Sequence, residues 1–284
     1  MSDTDLLKIK RCTLAQLISA GEAFLLQYPL VYGHGTDNAF DESAWLALEA
    51  CGISPAVPLE SYDIPVTTQQ LERAKDWFKE RAINKTPVAY ITGRAWFAGL
   101  EFIVDSRALV PRSPIAELVH KHFQPWLSEA PAAVLDLCCG GGCIAIGVAS
   151  VFPECRVDAC DLSRDALDLA ALNVQKHNLQ NRVQLHAGDL FAPIQESRQY
   201  DLIVSNPPYV DAQDMHQLAS EFGHEPVMGL EAGDDGLDIV ERMLSDAKKY
   251  LAPDGVMIVE VGNSKQAVDS RFPELDLIWL DFEY

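Results

Sequence analysis

The tetrapeptide Asn206-Pro207-Pro208-Tyr209 follows the apolar run Leu202-Ile203-Val204-Ser205 and joins groups suited to holding a planar nitrogen. An amide nitrogen is a poor nucleophile because its lone pair is delocalised into the carbonyl. Two acceptors facing its two N–H groups would orient it and let it pyramidalise. The Asn206 side-chain oxygen is one such acceptor. The Pro207 carbonyl is another, held outward by a turn that two prolines stiffen. Tyr209 offers a ring that stacks on a planar group and keeps water out. The plain alternative is an Asn-Pro turn closing a strand.

A second constellation lies upstream. Val134-Leu135-Asp136-Leu137 runs into Cys138-Cys139-Gly140-Gly141-Gly142, and three consecutive glycines let the backbone approach a ligand over a strand's carboxyl end. Asp161 ends the next apolar run and is placed to accept two ribose hydroxyls. Gly188-Asp189 ends a third, where the acid could take an adenine amino group. Acids at three successive strand ends would line one crevice. Gly140-x-Gly142-x-x-Ala145 formally matches a dinucleotide fingerprint, but Asp136 and Asp189 are odd neighbours for a pyrophosphate. S-adenosylmethionine carries a sulfonium and an ammonium, which acids attract, so this cofactor fits better. With it, transfer of a methyl group to a planar nitrogen needs little beyond in-line positioning and desolvation. Each acid could also be a simple cap.

Composition narrows the partners. Acidic residues outnumber basic ones 42 to 22 in 284 residues, a formal charge of -20. Phosphate backbones reward Lys and Arg, so nucleic acid is disfavoured as the direct substrate and a protein partner suits the chain better. Seven cysteines, an odd number, read as reduced thiols. Cys138, Cys139 and Cys143 lack the repeated spacing of a metal site, and no metal is expected. No apolar run approaches the roughly 18 residues of a membrane span, and the polar N-terminus is unlike a leader, so a cytoplasmic protein is expected.

The elements that must position these groups are legible as periodicities. Leu14, Leu17, Ile18, Phe24 and Leu25 recur at helical spacing, a second helix surrounds residues 44–48, and a third fits 67–83. Residues 88–109 alternate between glycines, as hairpins do, with Trp96 and Phe97 as hairpin core. Pro111-Arg112-Ser113-Pro114 then opens a helix. Beyond Pro131, strands at 133–137, 156–160, 183–185, 202–205 and 256–261 are interleaved with helices at 144–151, 164–177 and 237–250. This predicts an α/β fold with a parallel, doubly wound sheet. The expected division is a helical domain over 1–86, a hairpin linker over 87–112 and an α/β domain over 113–284.

At these motifs the chain resembles the HemK group of protein glutamine methyltransferases. The likeness covers most of the chain and implies a Rossmann-like S-adenosylmethionine methyltransferase sheet behind a helical substrate-docking domain. It implies Asn206, Pro207 and Tyr209 as catalytic, with Pro208 beside them on the substrate. It implies Asp136 and Asp161 around the cofactor, with Cys138, Gly140, Gly142, Asp189 and Asn206 as the further candidate cofactor contacts. Cys138 stands where the release-factor branch has glycine, and Ala95-Trp96-Phe97, His224-Glu225-Pro226 and Val259-Glu260-Val261-Gly262-Asn263-Ser264 resemble the branch acting on large-subunit ribosomal protein three. That branch implies a glutamine of a ribosomal protein as acceptor. Glu117 and Glu225 are further candidate contacts. The family's sheet closes with a sixth and a seventh strand; here 275–284 looks like the sixth, and the last strand is lacking. Alternatives are a release-factor enzyme, a nucleic-acid adenine amino methyltransferase, an inert docking module and a nicotinamide oxidoreductase.

Overall fold

A computed structural model describes residues 5–54, 58 and 62–282. Its contacts divide the chain into two units: 1–94 together with 219–224, and 95–218 together with 225–284.

The first unit is a helical bundle. Helix α1 (Leu14–Leu25) starts at a capping box in which Thr13 and Gln16 bond each other's backbone N–H, and α3 (Thr68–Lys79) starts the same way at Thr67 and Gln70. Between them α2 (Ala39–Cys51) stops at Gly52, whose left-handed backbone ends the helix. Their apolar stripes meet in a core that includes Leu17, Leu46, Leu71 and Phe78. A π-helical turn, Glu80–Asn84, extends α3. It carries Arg81, whose guanidinium bonds Glu42 through Nε (2.6 Å) and Nη2 (3.1 Å) and Glu221 through Nη1 (3.4 Å). All three side chains are buried, with Arg81 1%, Glu42 2% and Glu221 0% exposed.

The second unit opens on a hairpin, β1 (Arg94–Phe97) and β2 (Leu100–Ile103), shorter than the alternation predicts. Residues 88–92 form a one-turn helix instead, α4 (Val88–Thr92), ended by left-handed Gly93. Phe97 is core as expected; Trp96 points the other way along the strand and is exposed. Helix α5 (Ile115–His120) precedes a five-stranded parallel sheet in the order β5-β4-β3-β6-β7: β3 (Ala133–Leu137), β4 (Arg156–Asp161), β5 (Val183–Ala187), β6 (Tyr200–Ser205) and β7 (Leu251–Val259). Helices α6 (Cys143–Val151) and α7 (Arg164–Lys176) carry the chain outward from β3, and it then returns to the other side of β3 for β6 and β7. A short α8 (Ala212–Met215) follows β6, and α9 (Asp238–Tyr250) leads into β7. The order therefore reverses between β3 and β6, which opens the ligand crevice of such sheets above those two strands.

The expected sixth strand is not formed: 275–282 carry no strand, and 283 and 284 lie outside the described residues. The segment turns back onto α10 (Lys265–Arg271), where the Trp279 indole N–H donates to Asp269 at 3.0 Å and the Lys265 ammonium sits 5.2 Å from the ring centre. Among the described residues β7 has a sheet neighbour on one side, and Val256 to Val259 are half-buried.

Candidate active site

The register of the sheet sets out the site. Leu137 of β3 pairs with Cys160 of β4 and Ser205 of β6, and Ser205 pairs with Val259 of β7. Asp161, Cys138, Asn206 and Glu260 are thus the next residues of four adjacent strands, a row at the carboxyl end of the sheet. Below the row, Ser205 Oγ donates to Leu137 O at 2.6 Å and ties β6 to β3.

The turn after β3 is tight, with Gly142 N donating to Cys139 O at 2.8 Å. Gly140 (φ 53°) and Gly142 (φ 80°) take left-handed backbone there, and a Cβ on Gly142 would press to 3.2 Å from Ala170 of α7. Cys138 adopts φ 56°, so a conformation that favours glycine is carried by a cysteine. Burial pushes the Cys160 thiol up to about 12 and raises the thiols of Cys138, Cys139 and Cys143 well above their usual value, keeping them protonated. Among the described residues no group of three or more His, Cys, Asp or Glu could hold a metal ion.

Asp136 is fully buried beneath this turn. Its Oδ2 accepts from Ala145 N at 2.9 Å, while Oδ1 has no hydrogen-bond partner among the described residues. Burial, aided by the nearby Asp161, drives its pKa well above the usual carboxylate range against the pull of the Ala145 bond. Asp161 accepts from Gly140 N and Ser163 N, both at 2.8 Å; burial raises its pKa and those bonds moderate the rise. An orphaned carboxylate oxygen and a second, half-buried acid suit a ligand with positive charge and N–H or O–H donors, and would be costly beside a pyrophosphate. S-adenosylmethionine has that chemistry, so the residues present fit it. Asp189 is half-exposed and bonds Arg242 of α9 at 2.5 Å.

On the other side of the crevice, Pro207 is buried and Asn206, Pro208 and Tyr209 are half-buried. The Tyr209 hydroxyl donates to Glu260 at 2.9 Å. The structure thus brings Asn206 and Tyr209 onto the same crevice as the glycine turn and Asp161. Glu225 is not free for a ligand: it is buried, with Arg112 on both oxygens (2.5 and 2.7 Å) and Val110 N on one. Glu117 sits on α5 with Lys121 at 3.4 Å. Sequence reasoning gave no role to Glu260 or Ser113, although an acid closing an apolar strand run is the same signal that singled out Asp136 and Asp161.

The pattern has relatives. Residues 116–235 match the methyltransferase small domain family model. The catalytic domain of hMettl16, solved in complex with MAT2A 3'UTR hairpin 1, superposes with a TM-score of 0.53 at 15% identity over 81% of this chain and 82% of that one, a likeness of fold. Curated relatives named ribosomal protein uL3 glutamine methyltransferase are far nearer in sequence. The protein of Francisella tularensis is 42% identical over 88% of this chain and 80% of its own length. That of Bordetella pertussis is 42% identical over 95% and 91%, and that of Burkholderia pseudomallei 40% identical over 94% and 90%. With that identity running through both units and the whole crevice, the chain belongs to the ribosomal protein uL3 glutamine methyltransferase family.

Proposed function

We propose that the protein transfers a methyl group from S-adenosylmethionine to the side-chain amide nitrogen of a glutamine in ribosomal protein uL3. The identity of 40–42% to relatives of that name, over 88–95% of the chain, carries this reading. The cofactor, when bound, supplies an electrophilic methyl group on a cationic sulfur. Asp136 and Asp161, with the turn from Cys138 to Gly142, are the residues we assign to holding it, and Asp189 lies at the rim. The Asn206 oxygen and the Pro207 carbonyl orient the two amide N–H groups. Tyr209 and Pro208 wall the amide plane and exclude water. A net charge of -20 suits a basic ribosomal protein and opposes bare nucleic acid as acceptor. A ribosomal acceptor sets the reaction in the cytoplasm, and no helix among the described residues is long and apolar enough to cross a membrane.

The test is transfer of labelled methyl into purified uL3, a release factor and DNA, with Asn206→Ala alongside wild type. Label on a uL3 glutamine is expected, with the rate reduced at least about 100-fold in the variant through lost orientation, while cofactor binding persists. Label on the release factor or DNA in preference to uL3 would overturn the assignment.

A further inference from the structure

Beside the crevice stands a carboxylate, Glu260, that the proposed roles leave unused. Glu260 is the first residue beyond β7, and its N–H donates to Ser205 O at 3.0 Å, so the β6–β7 ladder continues one bond past the strand. The Glu260 backbone is thereby fixed to the residue that precedes Asn206. Both carboxylate oxygens accept from hydroxyls: Tyr209 donates to Oε1 at 2.9 Å and Ser113 to Oε2 at 2.6 Å. Ser113 is itself buried and immobilised, its Oγ accepting from Ile115 N at 3.2 Å at the start of α5.

The rest of Tyr209 is confined by two glycines. A Cβ on Gly262 would fall 2.5 Å from Tyr209 Cε2, and one on Gly236 would fall 2.5 Å from the Tyr209 carbonyl oxygen. Such distances are far inside van der Waals contact, so side chains are excluded at both positions. The ring thus packs on the Gly262 backbone and the carbonyl lies against Gly236, while the hydroxyl is held by Glu260.

We infer that Glu260 is a positioning residue for methyl transfer: it clamps the Tyr209 hydroxyl so that the ring presents a fixed wall to the acceptor amide. This rests on the function proposed above. The two hydroxyls donate to separate oxygens, which a carboxylate provides, whereas a carboxamide puts an NH2 donor in place of one of them. Burial raises the Glu260 carboxyl above its usual range, and the Ser113 and Tyr209 bonds pull it back toward the charged form that accepts both.

A double-mutant cycle tests the clamp. Glu260→Gln and Tyr209→Phe are each expected to lower kcat/KM for uL3 about tenfold through loosened orientation, with the dissociation constant of S-adenosylmethionine unchanged. The double variant should be no slower than the slower single one, because both remove the same bond. Ser113→Ala, which keeps Glu260, should show a smaller loss and covers the case in which E260Q does not fold. Multiplying effects, or an E260Q loss confined to Tm or cofactor affinity, would overturn the inference. Crystal structures of wild type and E260Q test it without turnover: Tyr209 should shift or become disordered in the variant, and an unmoved Tyr209 would overturn the clamp whatever the acceptor proves to be. Wild-type transfer to uL3, measured first, separates failure of the function from failure of the clamp.

Discussion

Replacing Arg81 with methionine removes the guanidinium from a buried cluster that holds two carboxylates. In the wild type Glu42 lies above the usual carboxylate range, because burial outweighs its bonds to Arg81. Glu221 lies below it: burial pushes it up, and the Val31 N–H, its own backbone N–H and Arg81 together pull it further down. With side-chain exposures of 1%, 2% and 0% the three groups have little recourse to water. Breaking such a pair from one side costs about 3–5 kcal/mol. The Nη2 bond to Val31 O (2.9 Å) and the packing on Tyr32, 5.8 Å from the ring centre, are lost as well. The expected loss at pH 8 is therefore about 4 kcal/mol, a large share of the roughly 5–15 kcal/mol that holds a domain. Without the cation the folded pKa of Glu42 rises further above its unfolded value, and that of Glu221 rises as well. The penalty from Glu42 is absent below its unfolded value and grows as pH rises through the folded one, so the deficit should shrink toward pH 5. Urea unfolding followed by the emission of Trp45 and Trp77, which pack against this core, measures it. R81M combined with Glu42→Gln and Glu221→Gln should recover most of the loss. A deficit below about 1 kcal/mol at pH 8, or one independent of pH, would refute the reasoning.

Two further outcomes follow from the polar core of the second unit. Asp136→Asn should weaken S-adenosylmethionine binding about tenfold yet stabilise the ligand-free protein by about 1–3 kcal/mol at pH 8, since it neutralises a buried, half-bonded carboxylate. Because the folded pKa of Asp136 is raised, its stability contribution is present below the unfolded value and is lost as pH rises; the gap between variant and wild type should close toward acid pH, as paired urea titrations would show. Asp158→Ala should destabilise by about 2–3 kcal/mol in the same assay, because the buried Tyr200 hydroxyl (2.8 Å) and the His186 ring (2.7 Å) lose their shared acceptor.

The parallel strands and the motif loops were legible because each rests on a local signal. Val134 to Leu137 and Leu202 to Ser205 are short apolar runs ended by punctuation; the structure gives β3 its expected bounds, 133–137, and starts β6 two residues earlier than expected, at Tyr200. The row of strand-end residues follows once the runs are placed in register. Residues 88–92 were misread because a five-residue helix is too short for either period to assert itself. Residues 275–282 hold an apolar run where the resemblance implies a strand but form no strand, because a strand exists by pairing rather than by pattern. Glu260 escaped notice because its meaning lies in Tyr209 and Ser113, which are 51 and 147 positions away. No window of sequence contains that bond.

The ownership of residues 219–224 has a consequence for how the chain is made. Arg81 meets Glu221 across 140 positions, and Val31 meets it across 190. The helical unit, though it leaves the ribosome first, lacks its last buried carboxylate until most of the sheet-forming sequence has also emerged. Vectorial folding can assemble α1 to α3 early, but Arg81 must wait with Glu42 as its carboxylate partner while β3 to β6 are synthesised. A piece cut at Arg94 would strand the same residues on the wrong side of the cut. The helical unit is thus discontinuous in sequence, and its polar core is complete only after the segment that follows β6 has been made.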